Sequence, residues 1–137
     1  MMMHHPTNAD VSKLIALAED DAEMRSVIMD ALVADGYEVG EYARGDTLLE
    51  GLLNADKPGL IVADVRMPGG DGLSVLRALR GIGYDVPIVV ITGFACEQTL
   101  NDAFRLGASV VLSKPFAMED LRHVVGCFLP PPRASLR

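Results

Sequence analysis

The sequence predicts a doubly wound α/β fold, (βα)₅, with a five-stranded parallel sheet of order 2-1-3-4-5 and a flavodoxin-like topology. Three observations predict it. Short apolar runs alternate with longer segments of helical periodicity. The runs are nearly continuous, as in Leu60-Ile61-Val62-Ala63, which marks strands covered on both faces and therefore parallel. The periodic segments between them supply the right-handed crossovers that parallel neighbours require.

Leu14-Ile15-Ala16-Leu17-Ala18 is the first strand, and it stops at acid. Asp21 to Asp35 follows as a helix, with Met24, Val27, Ile28, Ala31 and Leu32 on one face and Gly36 closing it. Tyr37 to Tyr42 alternates and reads as the second strand. Asp46 to Asn54 is helical, with Leu48, Leu49, Leu52 and Leu53 inward. Leu60 to Ala63 is the third strand, ending at Asp64. A loop containing Pro68-Gly69-Gly70 leads to Asp71 and a helix carrying Leu73, Leu76 and Leu79. Val86 to Ile91 is the fourth strand, with Pro87 where a missing donor is tolerated. Glu97 to Leu106 is helical, with Leu100, Ala103 and Phe104 inward. Val110-Val111-Leu112 is the last strand. Met118 to Phe128 is the last helix, with Leu121, Val124, Val125 and Phe128 inward.

The chain has 137 residues, half of them hydrophobic, with 12 Lys plus Arg against 19 Asp plus Glu and a formal charge of -7. This length suits one domain with a proper core. Residues 1–12 read as a disordered tail, 13–129 as the domain and 130–137 as a Pro-rich tail. No apolar run is long enough to span a bilayer, and the acidic balance argues against direct nucleic-acid binding. Met1 to Pro6 lacks the apolar core of a signal peptide. Cys96 and Cys127 are too few for a disulfide framework and fall at opposite ends of their helices, so reduced thiols and a cytoplasmic location are expected. His4-His5 could hint at metal binding but reads as part of a disordered start, and His123 reads as a solvated residue of the last helix with no kinase-type motif around it.

Ligands of an open parallel sheet bind beyond the carboxyl ends of its strands. The residues found there are Glu19-Asp20-Asp21 after the first strand and Asp64 after the third. Thr92 and Gly93 follow the fourth strand, and Ser113-Lys114-Pro115 the fifth. Singly, each has an ordinary reading: an N-cap, a turn residue, a strand end, a solvated lysine. Together they place carboxylates at the switch point, with a hydroxyl and a cation opposite. Clustered carboxylates stay ionised only beside a cation, and hard oxygen donors suit Mg²⁺ or Mn²⁺. The set describes a site for a phosphoryl group with one carboxylate as nucleophile.

Four stretches now carry a resemblance. LIALAEDDAEMR (Leu14 to Arg25), IVADVRMPGGDG (Ile61 to Gly72), PIVVITGF (Pro87 to Phe94) and GASVVLSKPF (Gly107 to Phe116) resemble the response-regulator receiver family of two-component signalling. Val65-Arg66-Met67-Pro68 and Ile91-Thr92-Gly93 are most similar to receivers of the nitrogen-fixation regulator type. The resemblance implies that Asp64 is the phosphoacceptor. It implies that Asp20, Asp64 and the Arg66 carbonyl bind Mg²⁺, with Glu19 acting through water. Thr92 is the implied switch hydroxyl, and Lys114 the lysine that pairs with Asp64 at rest, before a commonly cis Pro115. Arg66 and Phe94 occupy the positions that modulate hydrolysis. Val111 stands where such domains often carry Tyr or Phe, so a swinging aromatic ring is not expected. Gly93 replaces a commoner alanine.

The partners implied are a histidine kinase or histidine phosphotransferase, and a downstream protein docking on the face of the fourth helix, fifth strand and fifth helix. Monomer or transient dimer is expected. The alternatives are a phosphorylation-independent binding module of the same fold and a receiver cut from a longer regulator or hybrid kinase. A flavodoxin needs a Ser/Thr/Gly-rich phosphate loop where Glu19-Asp20-Asp21 stands. A haloacid-dehalogenase-type phosphatase needs an acid two residues after the nucleophile, where Arg66 stands.

Overall fold

The computed structural model describes residues 12–55, 57–67, 69, 72–93 and 97–132. Five strands, β1 (Leu14–Ala18), β2 (Glu38–Tyr42), β3 (Leu60–Asp64), β4 (Ile88–Thr92) and β5 (Val110–Ser113), alternate with five helices. These are α1 (Ala22–Ala34), α2 (Gly45–Asn54), α3 (Gly72–Gly81), α4 (Glu97–Arg105) and α5 (Met118–Phe128). The sheet order is β2-β1-β3-β4-β5, all parallel, as expected.

Alternate strand residues point to opposite faces, and each face has its own core. Ala16, Ala18, Ile61, Ala63, Ile88 and Val90 pack with Leu48 and Leu52 of α2, with Val75, Leu76 and Leu79 of α3, and with Ala103 of α4. Ile15, Leu17, Leu60, Val62, Val89 and Ile91 pack with Ile28 and Leu32 of α1 and with Leu121 and Val125 of α5. Every residue of β3 and β4 is buried, which accounts for their unbroken apolar sequence.

The helix stripes are narrower than the sequence suggests. Val27, Leu53 and Phe104, all expected inward, are about half exposed, and Phe128 is over a third exposed. Each flanks the buried stripe of its helix, where a sheet covers only part of the cylinder. β4 starts at Ile88, two residues later than expected, because Pro87 has no N–H to pair and contributes only its carbonyl, to Ile61 N–H at 3.0 Å. Tyr37 is buried but lies outside β2, its hydroxyl donating to the Leu129 carbonyl. Gly36 follows the end of α1 with φ of 99°, a left-handed stop that favours glycine. Met24, Met29 and Met118 pack against the α1/α5 core. Among the described residues, no helix is long and apolar enough to cross a membrane.

Candidate functional site

Parallel register brings the predicted polar residues to one end of the sheet. Ala18 pairs with Ala63, so the next residues along, Glu19 and Asp64, leave adjacent strands at the same level. Asp64 pairs with Ile91, and Thr92 with Ser113, which carries the progression across to Lys114. Strand–helix connections must turn here, so backbone groups at this end are free to be recruited.

The β1–α1 loop is held at the two peptides that flank Glu19. Glu19 N–H donates to the Tyr42 carbonyl at 3.0 Å, and the Glu19 carbonyl accepts from Arg25 Nη1 at 2.8 Å. Asp21 then caps α1, its Oδ1 accepting from Glu23 and Met24 N–H at 3.0 and 3.2 Å. The β3–α3 loop folds back on Asp64. Val65 N–H continues the ladder to the Ile91 carbonyl, and Gly72 N–H donates to the Val65 carbonyl at 2.8 Å. A Cβ at Gly72 would stand 2.4 Å from the Asp64 carbonyl oxygen, so the motif requires glycine there for close approach.

Three carboxylates converge. One oxygen from each of Glu19, Asp20 and Asp64 lies within 4.8 Å of the other two; Glu19 and Asp64 are buried, and Asp20 is exposed. Lys114 closes the cluster. Its Nζ donates to Asp64 Oδ2 at 2.5 Å and to Glu19 Oε1 and Oε2 at 3.1 and 3.2 Å. Asp64 Oδ1 accepts the Arg66 N–H at 2.9 Å, so both acceptor oxygens of Asp64 are engaged. Lys114 N–H reaches the Thr92 carbonyl at 2.7 Å, and the Lys114–Pro115 bond is cis.

The electrostatics follow from this crowding. Burial, and then the hydrogen bond and charge of Asp64, raise the Glu19 pKa from 4.5 to about 7; Lys114 offsets only part of this. Burial pulls the Lys114 ammonium down, but hydrogen bonds and charge from Asp64 and Glu19 outweigh it and hold its pKa above the ordinary range. One cation therefore serves two buried acids with a third beside them. The cluster has more negative charge than its own lysine balances. An all-oxygen donor set of this kind fits a hard divalent cation.

The remaining predicted residues sit around this centre. Thr92 is buried at the end of β4. Arg66 meets Asp64 through its backbone, and its side chain is exposed. Val111 pairs with Val90, is partly buried against the α2/α3 face of the sheet, and carries no ring to swing. Phe94, Cys96, Asp71 and the His4-His5 pair lie outside the described residues; Cys127 is an exposed free thiol. Two features were missed in the sequence: the direct Glu19–Lys114 pair and Arg25. The only sequence signal for Arg25 is its place one turn into the helix that the acids precede.

Comparison with known proteins bears on this geometry. The family model described as "Response regulator receiver domain" matches residues 15–126. The chain is 37% identical over 111 residues to the response regulator MprA of Mycobacterium tuberculosis H37Rv, covering 81% of this chain and 48% of that protein. It is 33% identical over 107 residues to the C4-dicarboxylate transport transcriptional regulatory protein DctD of Rhizobium meliloti, covering 78% of this chain and 23% of that protein. The chain thus spans half or less of the length of these curated relatives. The receiver domain of sensor histidine kinase PA1611 of Pseudomonas aeruginosa superposes with a TM-score of 0.77 at 28% identity. That match covers 86% of this chain and 98% of the other, whose active-site cleft holds a coordinated magnesium ion.

Proposed function

The chain belongs to the response regulator receiver domain family of two-component signalling, and on that premise we propose that Asp64 is its phosphoacceptor. The observation that carries the assignment is the buried Asp64 carboxylate held between Lys114 Nζ and the Arg66 N–H, with Glu19 and Asp20 beside it.

An Asp64 oxygen attacks phosphorus, the new O–P bond forms, and the P–N bond to the donor imidazole breaks with its electron pair returning to nitrogen. The donor is the phosphohistidine of a histidine kinase or phosphotransferase. Lys114, already on Asp64, neutralises a phosphoryl oxygen as the group arrives, and the Thr92 hydroxyl turns to bond another. Such transfers depend on positioning and charge rather than on covalent help from the protein. Asp20, Asp64 and the Arg66 carbonyl would hold a Mg²⁺ or Mn²⁺ ion, with Glu19 sharing through water. Bound there, the ion supplies positive charge to the phosphoryl oxygens. By their sequence positions, two beyond Asp64 and two beyond Thr92, Arg66 and Phe94 are the residues that modulate the later hydrolysis of the acyl phosphate. The protein is a switch whose only chemistry is its own phosphorylation and dephosphorylation, and its place is the cytoplasm. The output face is α4, β5 and α5. With Val111 in place of an aromatic residue, the signal travels through backbone movement of β4 and α4.

Incubation with Mg²⁺ and acetyl phosphate, followed by intact mass measurement, tests the assignment. The expected result is one phosphoryl adduct on the wild type and none on Asp64→Asn. An adduct that persists in Asp64→Asn, or none on the wild type, overturns it. In the second case the chain is a binding module that works without phosphate, the reading favoured by Val111.

A further inference from the structure

The cation-holding role proposed above leaves one residue of the same end unexplained. Arg25 sits in the second turn of α1, and its side chain reaches backward rather than out to solvent. Nη1 donates to the Glu19 carbonyl at 2.8 Å, and Nε lies 3.4 Å from Glu41 Oε1 on β2. The Arg25 side chain is 21% exposed and that of Glu41 41%. Arg25 therefore ties three elements together: the β1–α1 loop, α1 and the end of β2.

What it grips matters. The Glu19 carbonyl belongs to the Glu19–Asp20 peptide, so the plane that Arg25 holds sets the direction in which Asp20 leaves the chain. Glu19 and Asp64 have Lys114 to orient their carboxylates, and Asp64 has the Arg66 N–H as well. No side-chain hydrogen bond of the described residues does this for Asp20, which is exposed. Its aim toward the cluster rests on its backbone. Groups that orient metal ligands from behind typically govern cation affinity by 10–100-fold.

We propose that Arg25, braced by Glu41, is a positioning residue for the divalent-cation site, acting through the Glu19–Asp20 peptide. This rests on the reading of Glu19, Asp20 and Asp64 as the cation-holding set. Two effects of removing Arg25 oppose each other. Loss of the grip lets Asp20 drift and weakens binding. Loss of a positive charge, with Glu41 left unpaired, draws cations more strongly. A charge-conserving double variant, Arg25→Met with Glu41→Gln, removes the grip while keeping the net charge at -7.

The test is a Mg²⁺ titration followed by amide chemical shifts, which reports binding whether or not phosphorylation occurs. The double variant is expected to bind Mg²⁺ about tenfold more weakly than wild type, and Arg25→Lys to recover part of the loss. With acetyl phosphate, the Mg²⁺ concentration for half-maximal phosphorylation rises by the same factor, while the rate at saturating Mg²⁺ stays near wild type. A purely structural arginine would lower the melting temperature without moving the half-saturation point. An affinity within twofold of wild type in a folded double variant overturns the proposal. Should that variant not fold, Arg25→Lys decides alone: a shifted half-saturation point supports the role, an unchanged one overturns it. Wild type that binds Mg²⁺ but takes no phosphoryl group defeats the phosphoacceptor assignment and leaves this proposal standing. Wild type without any Mg²⁺-dependent shift defeats the cation site, and the proposal with it.

Discussion

Glu19 ionises near 4.5 in the unfolded chain but near 7 in the folded protein, because burial and the adjacent Asp64 penalise its charge. The sign of the linkage follows. Between those values the folded state keeps a proton that the unfolded state has released, so stability falls as pH rises. The contribution is fully present below about pH 4.5 and lost by about pH 7, with a total swing on the order of 3 kcal/mol. Glu19→Gln removes the titration. In EDTA its urea-unfolding free energy should match wild type near pH 4 and exceed it at pH 8, by up to about 3 kcal/mol. Mg²⁺ should narrow the gap by neutralising the wild-type cluster. A constant difference across this pH range would refute the account. At this scale the gathering of Asp64, Glu19, Asp20, Thr92 and Lys114 at one end was legible because each stands at or just beyond the carboxyl end of a strand and parallel strands end together. The Glu19–Lys114 contact, which joins residues 95 apart in sequence, and the backward reach of Arg25 were not. Both depend on side-chain packing that periodicity does not encode.

Among the helices, α1 and α5 solve the same problem differently. Both begin beside the site, and each start leaves backbone donors to be satisfied. Asp21 satisfies two of them at α1, whereas Ala117 at the start of α5 makes no side-chain cap. Ala117 has the extended φ and ψ, -76° and 139°, that a capping residue adopts. Ala117→Ser should therefore stabilise the fold by about 1 kcal/mol, and Asp21→Ala should cost about the same. Denaturant midpoints at fixed Mg²⁺ check both, and a neutral Ala117→Ser would mean that solvent already serves those donors. Element number, type and order were readable because β1, β3, β4 and β5 are short apolar runs closed by a turn or acid, while β2 alternates. Helix faces were less so. Phe104 and Val27 fit an apolar stripe by spacing, but each packs at the margin of its helix, where hydrophobic residues remain half exposed.

The whole molecule is polarised along its strands. The carboxyl end of the sheet carries the charged cluster, and the opposite end is closed by contacts between the two ends of the domain. Leu129 is fully buried against the α1/α5 core, its carbonyl accepts from the Tyr37 hydroxyl, and Lys13 Nζ donates to the Pro130 carbonyl at 3.1 Å. Gly59 N–H donates to the Leu14 carbonyl at 2.9 Å, and a Cβ at Gly59 would meet the Ser12 carbonyl oxygen and the Leu129 side chain. The terminal segments thus complete the core beneath the site, and we infer that the folding unit runs from about residue 13 to Leu129. Leu129→Ala should open a cavity at this closure and cost about 2–5 kcal/mol. A chain trimmed to residues 12–132 should unfold at the midpoint of the 137-residue chain. Because the cavity lies at the far end of the strands, Leu129→Ala should leave Mg²⁺ half-saturation unchanged wherever the variant is folded. A trimmed chain that melts early would extend the folding unit beyond this closure. A Leu129→Ala variant with altered cation affinity would show that the two ends of the sheet are mechanically coupled.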